Sequence, residues 1–194
     1  LLAKKLLNLG YKVVGFDNFV TGKKKNIPKG VEFHFVDCSN LKNLNRKNFN
    51  NIHTIYHLAG QSGGMVSFED PIIDLKYNVE STVNLLELSI KNKIKNFFYA
   101  SSVSVYGEKK NLKKVRETNV CKPLSFYGQG KLTSESYVEL YKKYYKLNAC
   151  SLRLFNTYGP GQDLKNLKQG MLSIYLSQAI YSKKIHVMGS LSRY

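Results

Sequence analysis

Five short apolar runs, interspersed with helix-like sequence, constrain this chain more than any other feature. Residues 11–16 form a β-rich run that stops at Asp17 and Asn18. Residues 31–36 form a second, ending at Asp37, and residues 52–58 a third that runs into the loop 59–64. Residues 94–100 lead to Ser101 and Ser102, and residues 149–154 lead to Phe155 and Asn156. Near-continuous apolar runs of this length suit parallel strands covered on both faces. Between them lie helical patterns. Residues 1–9 carry five leucines before Gly10, a C-terminal cap. Residues 74–91 place Val79, Val83, Leu86 and Ile90 on one stripe, and residues 127–145 follow Pro123 and Ser125. Strand and helix in alternation predict an α/β, Rossmann-like doubly wound parallel sheet. Such sheets usually open with a strand and a glycine-rich turn. Here the sequence opens inside the first helix. Residues 185–189 read as a strand after which the sequence stops, so both ends are expected to be cuts in a longer protein.

Charge then asks whether the chain binds nucleic acid. Lys and Arg number 30 against 13 Asp and Glu, a net charge of +17. Only four of those cations are Arg, whose planar fork suits phosphate and guanine recognition. The lysines are spread along the chain. The clusters Lys23-Lys24-Lys25 and Lys109, Lys110, Lys113, Lys114 lie in polar, loop-like sequence and read as solvated surface. No nucleic-acid partner is expected. Cys38, Cys121 and Cys150 are odd in number and widely spaced, and His34, His53, His57 and His186 show no metal-ligand spacing. A reduced, cytoplasmic protein without metal is the expectation. His34 and His57, inside apolar runs, read as core or near-core residues. The start of the sequence lacks the features of a signal peptide. Uncharged stretches such as residues 171–182 are too short and mixed to span a bilayer, so no membrane partner is expected.

Ligands of open α/β sheets bind beyond the carboxyl ends of the strands. Asp17 stands at such an end. A carboxylate there can accept hydrogen bonds from both ribose hydroxyls of an adenine dinucleotide and would repel a 2′-phosphate, which favours NAD over NADP. Asp37 holds the corresponding place after the next run, although an Asp there also serves as a helix cap. Tyr127 and Lys131 are spaced i, i+4, which puts phenol and ammonium on one helix face. A neighbouring ammonium stabilises phenolate and is expected to lower the Tyr127 pKa, giving an acid/base group. With 14 Tyr in a Lys-rich chain the spacing alone is weak. Its context is stronger: the pair opens a helix and follows Ser102, a strand-end hydroxyl.

Taken together, the motifs resemble the extended short-chain dehydrogenase/reductases, and within them the NAD-dependent nucleotide-sugar epimerase/dehydratase family, UDP-glucose 4-epimerase-like members above all. The matching segments are residues 14–18 with Thr21 and Gly22, 36–37, 57–61, Asn78-Val79 with 84–87, 99–107, 125–127 with Lys131, and 153–162. The resemblance implies roles. Asp17, Asn18, Thr21 and Gly22 would hold the adenosine ribose, while Asp37 and the Cys38 backbone would meet the adenine. Leu58, Ala59, Gly60 and Gln61, joined by Asn78, would pass under the pyrophosphate and nicotinamide side, and Phe155 would line the nicotinamide pocket. Tyr127 would be the acid/base, Lys131 would bind the nicotinamide ribose, and Ser102 would orient the sugar hydroxyl. Asn156 would touch the nucleotide-sugar diphosphate. Residues 1–155 would form the NAD-binding domain and 156–194 the beginning of a substrate-binding region. Helices 74–91 and 127–145 would pair across a two-fold axis into a four-helix bundle, a homodimer with Tyr137, Leu140, Tyr141 and Tyr144 on the shared strip.

Within the family, 4,6-dehydratases carry an Asp-Glu pair directly after the serine position. Val103 and Ser104 stand there and cannot supply that acid and base. Epimerisation through a 4-keto sugar is therefore the expected reaction, with decarboxylation or 4,6-dehydration of a nucleotide sugar as the alternatives. From a different class, an inactive basic nucleotide- or RNA-binding Rossmann protein is the rival.

Overall fold

The computed structural model describes residues 1–40, 42, 44, 49–108, 114–167 and 170–187. Helix α1 (Leu2–Asn8) leads to strand β1 (Val14–Asp17) and, after a 3-10 turn at Lys24–Asn26, to β2 (Glu32–Phe35) and β3 (Thr54–His57). Then come α2 (Val66–Glu69), α3 (Pro71–Leu75), a π turn (Lys76–Glu80) and α4 (Ser81–Lys91). Strand β4 (Asn96–Ser102), a 3-10 turn (Val103–Tyr106), α5 (Phe126–Tyr145), β5 (Asn148–Leu154) and α6 (Met171–Tyr181) complete the order.

All strand pairing is parallel, as the alternation requires. β1 and β2 pair from Val14↔Glu32 to Asp17↔Phe35. β4 is central to a second ladder, pairing with β3 from Thr54↔Asn96 to His57↔Tyr99 and with β5 from Asn96↔Asn148 to Ser102↔Leu154. The described residues form these two parallel ladders, β1-β2 and β3-β4-β5. One apolar core joins them. Val36 and Cys38, just beyond β2, pack in the same cluster as Leu85, Leu86, Phe97, Tyr99, Val138 and Tyr141. Phe97, Leu86, Tyr99 and Val138 are fully buried. Each such side chain contributes about 1.5–3 kcal/mol. Double-sided burial holds only for β4. Phe35 on β2 and Leu152 and Leu154 on β5 stay exposed.

Local signals explain the element ends. Gly10 takes φ +84° just past α1. Its N–H donates to Leu7 O and that of Tyr11 to Leu6 O, closing the helix in the two-bond motif that favours glycine. Ser125 caps α5 by accepting from Gly128 N at 3.0 Å. The expected helix over 74–91 starts earlier, at Pro71, because Asp70 caps it through Ile73 N at 2.9 Å. It is also interrupted by the π turn. Residues 185–187 form no strand, and Met188 and Gly189 lie outside the described residues. Lys23 is paired, not merely solvated: its ammonium meets Asp163 across 140 residues of sequence. Lys114 is exposed, while Lys109, Lys110 and Lys113 lie outside the described residues.

Candidate functional site

The carboxyl edge carries two polar clusters. The first sits beyond β1 and β2. Asp17 Oδ1 accepts from Phe19 N at 2.7 Å, which curls the chain back over the strand end. Gly22 then passes so close that a Cβ there would lie 2.8 Å from Asp17 Oδ2. Asp37 Oδ1 accepts from Ser39 N at 2.9 Å and Ser39 Oγ at 2.6 Å. The Cys38 and Ser39 carbonyls are clamped by Asn84 Nδ2 of α4, at 3.2 and 3.1 Å. Burial pushes the Cys38 thiol up to about 11, and the charges of Asp37 and then Asp17 add to the rise.

The second cluster joins β4 to the first turns of α5. Gly128 lets α5 settle on the 3-10 turn, since a Cβ there would lie 2.8 Å from Ser104 O. That contact sets the first turn of α5, with Tyr127, against the end of β4, where the Ser102 hydroxyl meets Ser104 Oγ at 3.1 Å. Lys131 is buried. Its ammonium donates to Ala100 O at 3.0 Å and lies 5.0 Å from the Tyr99 ring centre and 5.7 Å from that of Tyr127. Burial pulls Lys131 down to about 8, with the Asp74 charge opposing. Burial raises Tyr127; the Ser102 hydrogen bond opposes this and the Asp74 charge adds to it. The expectation that Lys131 lowers the Tyr127 pKa is thus corrected. The ammonium is engaged on a carbonyl beside the ring, and burial with the Asp74 charge outweighs it.

Behind these groups lie Asn78 and Gly60, which the sequence named, and Asp74, Glu135 and Arg153, to which it gave no role. Asp74 is 1 % exposed and accepts from Asn78 Nδ2 at 3.0 Å. Asn78 lies in the π turn, the kind of local irregularity often found at functional sites. Its carbonyl accepts from Thr82 at 2.6 Å and from Ser134 of α5 at 2.9 Å. Its Oδ1 is buried with no protein partner. Gly60 passes directly over that oxygen: a Cβ would lie 2.5 Å from it and 3.4 Å from Lys131 Nζ. On the other side, Arg153 of β5 grips Glu135 of α5 with bonds of 2.7–3.1 Å and reaches Tyr106 OH at 3.0 Å. Ser101 donates to the same carboxylate. A buried Glu one helical turn beyond Lys131 and an Arg in the last strand are the signals that could have disclosed this clamp.

The sequence profile of the NAD dependent epimerase/dehydratase family matches residues 1–193. The chain belongs to this family. A presumptive UDP-glucose 4-epimerase of Methanocaldococcus jannaschii is 35 % identical over 190 residues, 97 % of this chain and 61 % of that protein. A UDP-glucuronic acid decarboxylase of Xenopus tropicalis is 28 % identical over 97 % of this chain and 45 % of its own length. The crystal structure of a UDP-glucose 4-epimerase with UDP-glucose from Thermotoga maritima matches with a TM-score of 0.90 at 30 % identity, over 96 % of this chain and 60 % of that one. The chain thus spans about 60 % of the length of its nearer relatives.

In this epimerase/dehydratase-family chain, the edge gathers Asp17, Asn18, Thr21, Gly22, Asp37 and Cys38 at one end. Gly60, Asn78, Ser102, Tyr127 and Lys131 meet at the other. Leu58, Ala59 and Gly60 are exposed beyond β3, and Gln61 Nε2 folds onto Gly63 O at 2.7 Å. Phe155 and Asn156 extend past β5 and are exposed. Asn156 helps line a cavity of about 30 Å³ with Thr157, Tyr158 and the start of α6. Tyr141, placed by the sequence on an exposed strip, is 8 % exposed and donates to Glu87 of α4, while Tyr137, Leu140 and Tyr144 are exposed as expected. Among the described residues no helix is long and apolar enough to cross a membrane, and no cluster of His, Cys, Asp and Glu could hold a metal.

Proposed function

We propose that the protein containing this chain epimerises a nucleotide sugar, of the UDP-hexose type, at C4, using NAD that is recycled in each turnover. The placing of Tyr127 and buried Lys131 side by side in the first turns of α5, with the Ser102 hydroxyl at the end of β4, carries this reading. The residues fit the cofactor. Gly22 and Gly60 keep the backbone bare where a Cβ would strike Asp17 or Asn78, and Asn78 Oδ1 stands buried without a partner. Asp17, with Asn18, Thr21 and Gly22, would hold the adenosine ribose. Asp37 and Cys38 would meet the adenine, Leu58 to Gln61 with Asn78 would line the far half, Phe155 would flank the nicotinamide, and Lys131 would bind its ribose. NAD supplies hydride acceptance and return when bound.

Ser102 orients the sugar C4 hydroxyl toward Tyr127. Tyr127 takes that proton when C4 is oxidised to the ketone, and gives it back when C4 is reduced on its opposite face. It must be phenolate to do so, a form that burial and Asp74 oppose and that a bound cationic nicotinamide would favour. Ser102 helps by favouring the phenolate with its hydrogen bond. Asn156 would hold the substrate diphosphate. We place the change from cofactor-binding to substrate-binding sequence at residues 155 and 156.

The likeness to a uronic acid decarboxylase leaves decarboxylation as the second reading. Val103 and Ser104 disfavour dehydration, having no carboxyl group to drive loss of water. An inactive basic RNA binder has no use for the Ser102, Tyr127 and Lys131 set. Exposed Tyr137, Leu140 and Tyr144 on α5 support a homodimer through α4 and α5. Free Cys38, Cys121 and Cys150 fit a reduced, cytoplasmic setting.

The test is conversion of a UDP-hexose to its 4-epimer by the complete protein, without net NADH release. Tyr127→Phe should cut turnover about 10²–10⁴-fold while NAD still binds. Near-normal turnover in that variant would remove Tyr127 from the chemistry. Release of carbon dioxide from a UDP-uronic acid, with no epimer formed, would select the second reading.

A further inference from the structure

Asp74 is a buried carboxylate for which the reaction just described has no use. It reaches the site through two contacts. Asn78 Nδ2 fixes Oδ1 at 3.0 Å, and Oδ2 points at Gly130, where a Cβ would come within 3.1 Å. Gly130 lies between Tyr127 and Lys131 in α5. A Cβ there would press on Oδ2 more tightly than nearly all real contacts, so glycine lets the carboxylate lie against the helix without moving aside.

We propose that Asp74 is a positioning residue, a buried carboxylate that acts on Tyr127 and Lys131 across Gly130 and sets where on the pH scale the pair works. This rests on the proposed role of the pair. A buried ammonium is unstable unless a negative group stands near it, and Asp74 opposes the loss of the Lys131 proton. The same charge holds the proton on the Tyr127 phenol. Burial raises Asp74 itself to about 6, opposed by the Asn78 hydrogen bond and then by Lys131, so it is charged at neutral pH.

Other titratable groups near the pair come from every element packed there. Tyr99 on β4 lies under the ammonium and is itself raised by burial. His57 on β3 is buried and pulled down to about 3, so it is neutral. Glu135 on α5 is held by Arg153. Around α3, Glu69, Asp70, Lys76 and Glu80 are exposed, and water screens them. Asp74 is the one buried carboxylate among the described residues that acts on both Tyr127 and Lys131.

Removing its charge should therefore move both members the same way. In Asp74→Asn, Tyr127 gives up its proton more readily and so does Lys131. Both limbs of the pH–rate profile should shift to lower pH, by roughly one unit. A purely structural role would lower the rate and leave the limbs in place. Asp74→Glu should bring the limbs back toward their original positions. The experiment is the pH profile of epimerisation by the complete protein, alongside titration of the Lys131 side chain followed through ¹³C-labelled lysine, with Lys131→Met to assign the signal. The expected result is a lower Lys131 midpoint in Asp74→Asn. An unmoved midpoint overturns the proposal whether or not the protein proves to be an epimerase. If Asp74→Asn fails to fold, Gly130→Ala serves: it crowds Oδ2 without changing any charge, and a Lys131 midpoint equal to that of the unmodified protein would overturn the proposal.

Discussion

The two clusters of the carboxyl edge are built in opposite ways. Beyond β1 and β2, the carboxylates are held by their own turns: Asp17 by Phe19 and Asp37 by Ser39, each two residues on. Asp17 is exposed and Asp37 partly so. Beyond β4, the partners are distant in sequence. Lys131 reaches Ala100 across 31 residues, Ser101 reaches Glu135 across 34, and Ser134 reaches Asn78 across 56. Nearly all of these groups are buried. The first arrangement leaves its carboxylates solvated and ready to trade water for a ligand. The second fixes its groups in place before any ligand arrives, which suits chemistry more than affinity.

Substitutions can break or sharpen this contrast. The largest effect is expected at Glu135→Ala, which strands the Arg153 guanidinium in a part-buried place. Removing one partner of a buried pair typically costs 3–5 kcal/mol, so urea unfolding should show a loss of about that size and turnover should fall with it. A loss below about 1 kcal/mol, the range of exposed pairs, would mean that the clamp is no more than a surface pair.

The next effect depends on pH. Burial drags His57 from 6.5 to about 3, so the unfolded chain binds a proton in that window that the folded chain refuses. Stability from this group is full above about 6.5 and is lost as pH falls toward 3, at up to about 1.4 kcal/mol per unit. Asp74 has the opposite sign: its folded form keeps a proton between 3.8 and about 6, which favours the fold as pH falls. His57→Gln should therefore lose less stability than the parent between pH 6.5 and 4, read from urea midpoints. Equal losses would show that His57 protonates freely in the folded state.

At the other end, Asp17→Ala should leave unfolding unchanged and weaken NAD binding by about 1.5–3 kcal/mol, roughly ten- to a hundredfold, as calorimetry would show. If stability fell instead, the β1 edge would share the rigid design. The smallest effect is the α5 cap: Ser125→Ala should cost about 1 kcal/mol in thermal unfolding.

The same contrast governs what the sequence discloses. Strand ends, Asp17, Asp37 and Ser102 are legible because they follow apolar runs, and Tyr127 with Lys131 because i, i+4 spacing is a property of the helix itself. Asp74 and Glu135 look like ordinary acids on amphipathic helices. Only packing against Gly130 and Arg153 buries them, and no local pattern encodes that. Tyr141 was misplaced for the same reason, since Glu87 on another helix draws it inward. The π turn was equally invisible, because residues 76–80 sit inside a stretch whose apolar spacing reads as one continuous helix.

The π turn at Lys76–Glu80 has a rotational consequence. It holds one residue more than a regular helical turn would need. One residue in an α-helix corresponds to about 100° about its axis. Deleting a single residue there would restore a regular ladder, but everything before it would turn by about that angle relative to α4. Asp74 would swing off the Gly130 face and Asn78 away from Gly60, although no side chain in the site had been changed. The angular phase of one helix, set by one surplus residue, thus decides whether the rear wall of the site exists at all.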